Sequence, residues 1–159
     1  MPNPHPRGFT DLKALTAAVG DDLGVSDWLT IDQPRIDAFA EATGDRQCTP
    51  ADVDRAAQRP HASTIAHSYL VLSLLPALVA SIVSYDGWPT RLNYGSNKVR
   101  YPAPVTCGSR VRAQATLVAV TPTSAGLQVT TRVTLEHEYG GQLQPRPALV
   151  ADVLTLLVD

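Results

Sequence analysis

A long apolar run from Ile65 to Val83 constrains the fold of this chain more than any other feature of its sequence. Leucine, valine and alanine cover almost every helical face of the run, so a helix from Ile65 to about Ser84 has to be surrounded by other elements. Polar residues interrupt the run and no positive flank follows it, which favours a buried helix over a membrane span. Pro76 lies in its interior and should kink the helix or mark where its first part ends.

The chain after Gly87 has the composition and alternation typical of β-strands. Strands are predicted at residues 91–94, 97–101, 109–120, 127–137 and 149–158, between clusters of Pro, Gly or Ser. The last strand is apolar on both faces apart from Asp152 and Thr155, so we expect it to be central or covered on both sides. A buried helix followed by an antiparallel sheet is an α+β plan. The pattern alone leaves open whether the sheet wraps the helix or forms an open sandwich.

Two shorter helices are predicted before the apolar run. The first covers residues 11–19, ends at Gly20 and precedes a strand at residues 26–31. The second begins after Asp32, a good N-cap, and ends at Gly44, a residue type that commonly follows a helix C-terminus. Asp45 is therefore expected in a loop at the end of a helix. Residues 1–10, which are Pro-rich and polar, are expected to form a frayed lead-in, and residues 52–57 one or two helical turns.

The size and charge of the chain exclude several classes of function. Its 159 residues fit one domain, and nothing indicates a second. A net charge of -2 gives no basic field, so nucleic acid is an unexpected partner. Cys48 and Cys107 are the only cysteines, without a CxxC pair or a His/Cys cluster, so neither a disulfide framework nor a metal site is indicated. The N-terminus lacks the apolar core of a signal peptide, and we expect a cytoplasmic protein that does not enter the membrane.

One motif resembles the signature of a known family. Residues 43–50 read Thr-Gly-Asp-Arg-Gln-Cys-Thr-Pro, and residues 63–69 read Ser-Thr-Ile-Ala-His-Ser-Tyr. The first stretch is similar to the Gly-Asp-x-Asn/Gln-x-x-His pattern of the MaoC-like (R)-specific enoyl-CoA hydratases and dehydratases. The similarity continues from about Trp28 to the C-terminus, including the strand pair around residues 93–112. It implies a hot-dog fold, in which an antiparallel sheet wraps a long central helix.

The resemblance also implies a substrate and an assembly. The substrate would be an acyl thioester of fatty-acid or polyketide metabolism, carried on coenzyme A or on an acyl carrier protein, and the protein would need no cofactor of its own. Chains of this family pair, with the active site near the interface. We therefore expect a homodimer, or a heterodimer with a second hot-dog chain.

The catalytic pair of the family is only half present. Asp45 matches the aspartate, whereas Pro50 stands where the histidine belongs, and a pyrrolidine ring can neither accept nor donate a proton. A base and an acid that share one water are what the hydration reaction requires. His61 or His67 could substitute from nearby, although His61 could equally be a solvated loop residue. His67 matches a histidine at the start of the family's central helix, where a structural role is favoured.

Further residues follow from the resemblance as substrate-binding candidates. They are Gln47 in the motif, Ser68 and Tyr69 at the start of the central helix, and Asn97 in the strand pair. The backbone N–H groups of Ser68 and Tyr69 would polarise the thioester carbonyl. Four cations could receive carrier phosphates or could be ordinary strand charges; they are Lys98, Arg100, Arg110 and Arg112.

Three functional hypotheses result. In the first, the protein is a diverged hydratase or dehydratase-type enzyme in which Asp45 is the general acid or base of a dehydration, a double-bond isomerisation or a cyclisation. In the second, it is a non-catalytic subunit or binding protein that partners a competent hydratase. In the third, it is an ordinary (R)-specific enoyl-CoA hydratase that uses His61 or His67.

Overall fold

An antiparallel sheet forms most of the fold in the computed structural model, which describes residues 6–46 and 64–159. The strands in chain order are β1 (Arg7–Gly8), β2 (Asp22–Val25), β3 (Leu29–Thr30), β4 (Val83–Ser84), β5 (Thr90–Arg100), β6 (Arg110–Thr123), β7 (Gly126–Tyr139), β8 (Gln142–Leu143) and β9 (Leu149–Val158). The sheet has the order β2-β6-β7-β9-β5; in addition, β3 pairs with β6 and β8 pairs with β7. Because β9 lies between β7 and β5, its predicted central position is confirmed.

The long hairpin of β6 and β7 supplies most of the sheet's buried face. Val111, Ala113, Ala115 and Leu117 alternate along β6 with less buried neighbours, and each is fully buried. Side chains of β7 alternate in the same way. This period-2 pattern is the one expected for a sheet with one face against the core. The predicted alternation is therefore confirmed; β7 extends beyond its predicted bounds at both ends, and β6 at its C-terminal end.

The helices are α1 (Leu12–Ala17), α2 (Gln33–Thr43), α3 (Ser68–Ser73) and α4 (Leu75–Ala80). The single helix expected from Ile65 to about Ser84 is thus shorter, and it is interrupted at Leu74 between α3 and α4. Pro76 lies in the first turn of α4, where its missing N–H breaks no intrahelical hydrogen bond. Of the two alternatives for Pro76, it marks the boundary of a helix and does not kink a continuous one.

The helical pair α3–α4 packs into the concave face of the sheet. Leu70, Leu74, Leu75 and Leu78 belong to one core cluster with the buried residues of β6 and β7. On α3, Tyr69 is 73% exposed, so the helical pair is not enclosed on all sides as the sequence predicted.

The N-terminal segment differs from the expected frayed lead-in. Arg7 and Gly8 form β1, which pairs in parallel with β4, and Phe9 is buried against Tyr85. An ion pair between Arg7 and Asp21 also holds this segment. The prediction failed for residues 7–10 because β1 gains its partner from a strand far along the chain, which local composition does not reveal. Residues 1–5, and the helical turns expected at 52–57, lie outside the described residues.

The strand β5 forms one edge of the sheet and joins two strands that were predicted separately. Its register against β9 shifts twice, between Asn93 and Gly95 and again between Asn97 and Arg100. Lys98 lies at the second shift with φ of 53°. That value is uncommon for a residue with a Cβ. Such bulges add local twist to a strand, and here they let one continuous strand replace the two predicted ones.

Candidate functional site

The C-terminus of α2 places Asp45. The carboxylate of Asp32 caps the start of this helix by accepting a hydrogen bond from the Arg35 N–H at 3.1 Å. Gly44 ends the helix in the left-handed conformation, with φ of 73°. The Asp45 N–H then donates to the Thr43 hydroxyl at 3.3 Å, so the residue follows the helix in a short turn. As predicted, Asp45 lies in a loop directly after a helix, and its side chain is exposed.

The imidazole of His67 joins this loop to the start of α3. Its Nε2 lies 2.7 Å from the Asp45 carbonyl oxygen. Because a carbonyl can only accept, Nε2 carries the proton and donates it. The ring also packs against Phe39 of α2, with the ring centroids 5.3 Å apart. His67 is only 6% exposed, and within the described part of the chain no partner forms a hydrogen bond with its Nδ1.

A cavity of about 210 Å³ opens beside His67. It is lined by the two neighbours of this histidine, Ala66 and Ser68, by Tyr101 at the end of β5, and by further apolar residues; these are Ile65, Val71, Ala103, Pro104, Val105 and Ala148. Most of the lining side chains are therefore apolar, with one hydroxyl from Ser68 and one phenol from Tyr101, although polar atoms form a substantial part of the wall. A cavity lined by apolar side chains and a few polar groups is typical of a small-molecule site.

The phenol of Tyr101 is in its neutral form near pH 7. Burial raises the pKa of Tyr101 above 10.0, and the nearby phenol of Tyr69 raises this pKa further. At neutral pH the Tyr101 side chain is consequently a hydrogen-bond donor at the cavity, not an anion. Sequence reasoning noted Tyr101 as part of a strand motif and missed it as a lining residue. Its position beside Ser68 depends on a contact between distant segments.

A second cavity, of about 350 Å³, lies farther along the helical pair. It is lined by Leu72, Leu75 and Pro76 on the helical side and by residues of the sheet edge, namely Asn93, Gly95, Ser96 and Val153. Asn97, a predicted substrate-binding residue, lines neither of these two cavities. It is paired in register with Asp152 of β9. The structure thus brings Asp45, His67, Ser68 and Tyr69 together around the start of α3, and of these four only Ser68 lines either cavity.

Four positions of the predicted site lie outside the described residues. They are Gln47 and His61 of the candidate set, Cys48, and Pro50 at the expected place of the family histidine. The roles inferred for these residues therefore stay predictions.

The strand cations are largely engaged with other protein groups. Arg110 and Arg112 form ion pairs with Glu138 and Glu136 at 2.8 and 2.9 Å, and both guanidinium groups lie over the Trp28 ring. Cross-strand pairs of this kind stabilise a sheet surface. The structure therefore favours the explanation of ordinary strand charges for these two arginines.

The Lys98 ammonium lies 3.9 Å from the carboxylate of Asp152, which Arg132 also binds through two hydrogen bonds. Arg100 donates from its guanidinium to the Val99 carbonyl at 2.7 Å. These two cations therefore also have protein partners, although Lys98 remains largely exposed.

Residues 6–46 and 64–159 offer little support for a metal site, a nucleophilic cysteine or a membrane-spanning helix. In these ranges no group of three or more His, Cys, Asp or Glu side chains is arranged to hold a metal ion. Burial and the nearby carboxylates of Asp32 and Asp37 raise the pKa of the Cys107 thiol, the opposite of what a nucleophilic cysteine needs. In the same part of the chain, no helix has the length and apolar character needed to cross a membrane.

Comparison with solved structures identifies the fold. A monoamine oxidase regulatory protein from an Archaeoglobus species superposes with a TM-score of 0.73 at 22% identity, covering 96% of this chain and 97% of that one. The ChsH1–ChsH2 complex of Mycobacterium tuberculosis gives a TM-score of 0.64 at 19% identity, covering 88% of this chain and 98% of that one. The class is the hot-dog fold, an antiparallel sheet around a central helical segment, as the resemblance implied.

Sequence comparison then defines the family. The family model described as MaoC like domain matches residues 14–138. The 3-hydroxyacyl-thioester dehydratase Z of Mycobacterium tuberculosis is 43% identical over 96% of this chain and 99% of its own length. Nodulation protein N of Rhizobium leguminosarum is 40% identical over 92% of this chain and 90% of its own length. The chain belongs to the MaoC-like dehydratase family.

Proposed function

We propose that this protein is a diverged MaoC-like dehydratase that acts on an acyl thioester or a related polyketide-like intermediate, with Asp45 as its general acid and base. The observation that carries the proposal is the placement of Asp45. A capped helix and a buried imidazole hold its backbone against the start of α3, where Ser68 lines a cavity of about 210 Å³; Asp45 itself is not among the lining residues. The name of the 43% identical relative, a 3-hydroxyacyl-thioester dehydratase, supports the same substrate class.

A single carboxylate can perform both proton transfers of such a dehydration. The Asp45 carboxylate would remove the proton next to the thioester carbonyl, and the resulting acid would return that proton to the departing hydroxyl, which leaves as water. The double bond forms between the carbon that lost the proton and the carbon that lost the hydroxyl, and Asp45 is again a carboxylate. On a substrate that already contains a double bond next to that position, removal of a proton from one carbon and its return to another gives double-bond isomerisation. A lone group is a weaker catalyst than an acid–base pair, so we expect slow turnover.

The thioester carbonyl needs hydrogen-bond donors while negative charge develops on it. The backbone N–H groups of Ser68 and Tyr69 lie in the first turn of α3, ahead of the first intrahelical hydrogen bond, which runs from the Val71 N–H to the His67 carbonyl. The neutral phenol of Tyr101 lines the same cavity as Ser68. These donors support a role for this region in binding the carbonyl.

The first experiment measures hydration of crotonyl-CoA by the wild type, Asp45→Asn and Pro50→His. Hydration is the reverse of dehydration and is followed by loss of absorbance of the conjugated thioester. We expect slow wild-type turnover, a loss of about 100-fold or more in Asp45→Asn, and a gain in Pro50→His because the missing partner is restored. Full activity in Asp45→Asn would show that this carboxylate does no chemistry.

A second function, that of a non-catalytic subunit, is favoured by Pro50. This residue cannot transfer a proton at the position where the resemblance places the histidine. Among the structural neighbours is a complex of two differently named chains, ChsH1 and ChsH2. A heteromeric role predicts no hydration by this chain alone and activity after mixing with a histidine-containing hot-dog partner. Activity that stays with the isolated chain and depends on Asp45 would exclude it.

A further inference from the structure

We infer that His67 is a positioning residue, which holds the Asp45 loop through the proton on Nε2 and takes no part in proton transfer itself. The inference rests on the proposed role of Asp45 and assigns His67 to the support of that residue. It replaces the possibility that His67 substitutes for the missing histidine of the catalytic pair.

The first argument is the state of Nε2. Its hydrogen bond to the Asp45 carbonyl is short, at 2.7 Å, and is formed by a ring that is 6% exposed. A proton held between a buried ring and a backbone carbonyl is not available to a substrate unless this hydrogen bond breaks. Breaking it would deprive the Nε2 of a buried ring of its acceptor, which is costly in a protein interior. The Nε2 proton is therefore committed to the loop.

The second argument is the burial of the other ring nitrogen. A histidine that acts as a base must offer its free lone pair to the substrate cavity. Ala66 and Ser68 line the 210 Å³ cavity, whereas His67, which lies between them, does not. Its Nδ1 is buried, and within residues 6–46 and 64–159 no group forms a hydrogen bond with it. The free nitrogen is therefore buried, and the ring is not part of the wall of this cavity.

The third argument is the number of elements that meet at this ring. Phe39 of α2 packs against it, the Asp45 loop accepts its proton, and its own carbonyl accepts the first hydrogen bond of α3 from the Val71 N–H. The imidazole therefore fixes the distance between the carboxylate-bearing loop and the N–H groups of Ser68 and Tyr69. One side chain therefore holds the proposed base and the proposed carbonyl-binding site in a fixed relative position.

Two substitutions separate positioning from proton transfer. In His67→Gln, the amide nitrogen reaches about the place of Nε2 and can donate to the Asp45 carbonyl, but the amide cannot act as acid or base at neutral pH. In His67→Asn, the shorter side chain reaches only about the place of Nδ1, so the donor to the loop is lost. Both variants are neutral and polar, which makes each the control for the other.

Hydrogen exchange of the loop is the readout that requires no substrate. We expect the amides of residues 44–46 to exchange about five- to tenfold faster in His67→Asn, the effect of losing one hydrogen bond, and to stay within about twofold of the wild type in His67→Gln. Thermal melting of both variants checks that the rest of the chain is folded. Unchanged exchange in His67→Asn, or equally fast exchange in both variants, would overturn the inference.

Crotonyl-CoA hydration supplies the second readout. We expect His67→Gln to keep kcat within about threefold and to keep the pH profile of the wild type, while His67→Asn loses about tenfold or more in kcat. If His67→Gln loses activity and one limb of the pH profile while its loop exchange stays normal, His67 transfers protons and the inference is wrong. A wild type without turnover contradicts the proposed function instead, and exchange then decides the inference alone.

Discussion

At the scale of single residues, the imidazole of His137 couples folding to pH. The ring is buried at the end of β7, with Nε2 3.2 Å from the Arg146 carbonyl oxygen. Burial lowers the pKa of His137 below 6.5, and the hydrogen bond to this carbonyl offsets part of the shift. The folded state therefore binds this proton more weakly than the unfolded state does. The contribution of the neutral ring is complete above pH 6.5 and is lost as the pH falls through the window below that value.

His137→Gln should accordingly flatten the dependence of stability on pH. Denaturant unfolding at pH 7.5 and at pH 5.5 is the measurement. We expect the wild type to lose more of its free energy of unfolding between these two values than the variant does, because glutamine has no proton to gain. Carboxylates that titrate in the same range contribute equally to both proteins and cancel in the difference. Parallel losses in the two proteins would mean that His137 is not the sensitive group.

At the scale of elements, the end of α2 determines where the loop of Asp45 begins. Gly44 has φ of 73°, and a Cβ added there would meet nothing within 4 Å. The cost of Gly44→Ala is thus pure backbone strain, about 1–2 kcal/mol, whereas Gly44→Asn should cost less because asparagine tolerates this conformation. Urea unfolding of the two variants tests this order. Equal stability of Gly44→Ala and the wild type would show that the helix can end in another way.

How well each element was predicted depends on how far apart in the chain its interacting residues lie. The bounds of α2 were predicted correctly because the cap at Asp32 and the terminator Gly44 are local signals. The break near Pro76 was foreseen as one of two alternatives, since proline acts on its own turn. The strand pair β1–β4 was missed because its partners are far apart in the chain. Local signals therefore fix helix ends well and strand partners poorly.

The same difference between local and long-range contacts separates the residues of the candidate site that were predicted from those that were missed. Asp45 was found from a short motif at a helix end. The cavity lined by Ser68 was not found, because Tyr101 and Ala148 reach it from separate segments whose meeting depends on the whole sheet. No short-range signal marks Ala148 as a lining residue.

At the scale of the whole molecule, one edge of the sheet, β5, pairs with no further strand among residues 6–46 and 64–159. All of β5 except Val99 is exposed, including the apolar side chains of Leu92 and Tyr94. A long, exposed and partly apolar edge is a template for pairing with another strand. The exposed side of α3 carries Tyr69, so the open surface includes the helical pair as well. We therefore predict that the protein assembles through β5, with a second copy of itself as the partner.

The charge of this edge distinguishes a second copy from a different partner. Arg91, Lys98 and Arg100 are the charged residues of β5, and all are positive. Tyr94→Lys adds a further positive charge, which weakens pairing between two identical edges but is tolerated opposite an acidic one. Light scattering should give the wild type twice the chain mass of 17.0 kDa and Tyr94→Lys a dissociation constant at least about tenfold higher.

Leu143→Lys provides the matched control for this last prediction. Leu143 is 57% exposed, close to the 61% of Tyr94, but lies on β8, which pairs with β7 and not with the open edge. The same change of charge there should leave the mass of the assembly unchanged. Equal weakening by both substitutions would mean that net charge, not β5, controls association. A monomeric wild type would contradict self-assembly. If the Tyr94→Lys variant still binds an acidic hot-dog chain, the partner of β5 is a different subunit.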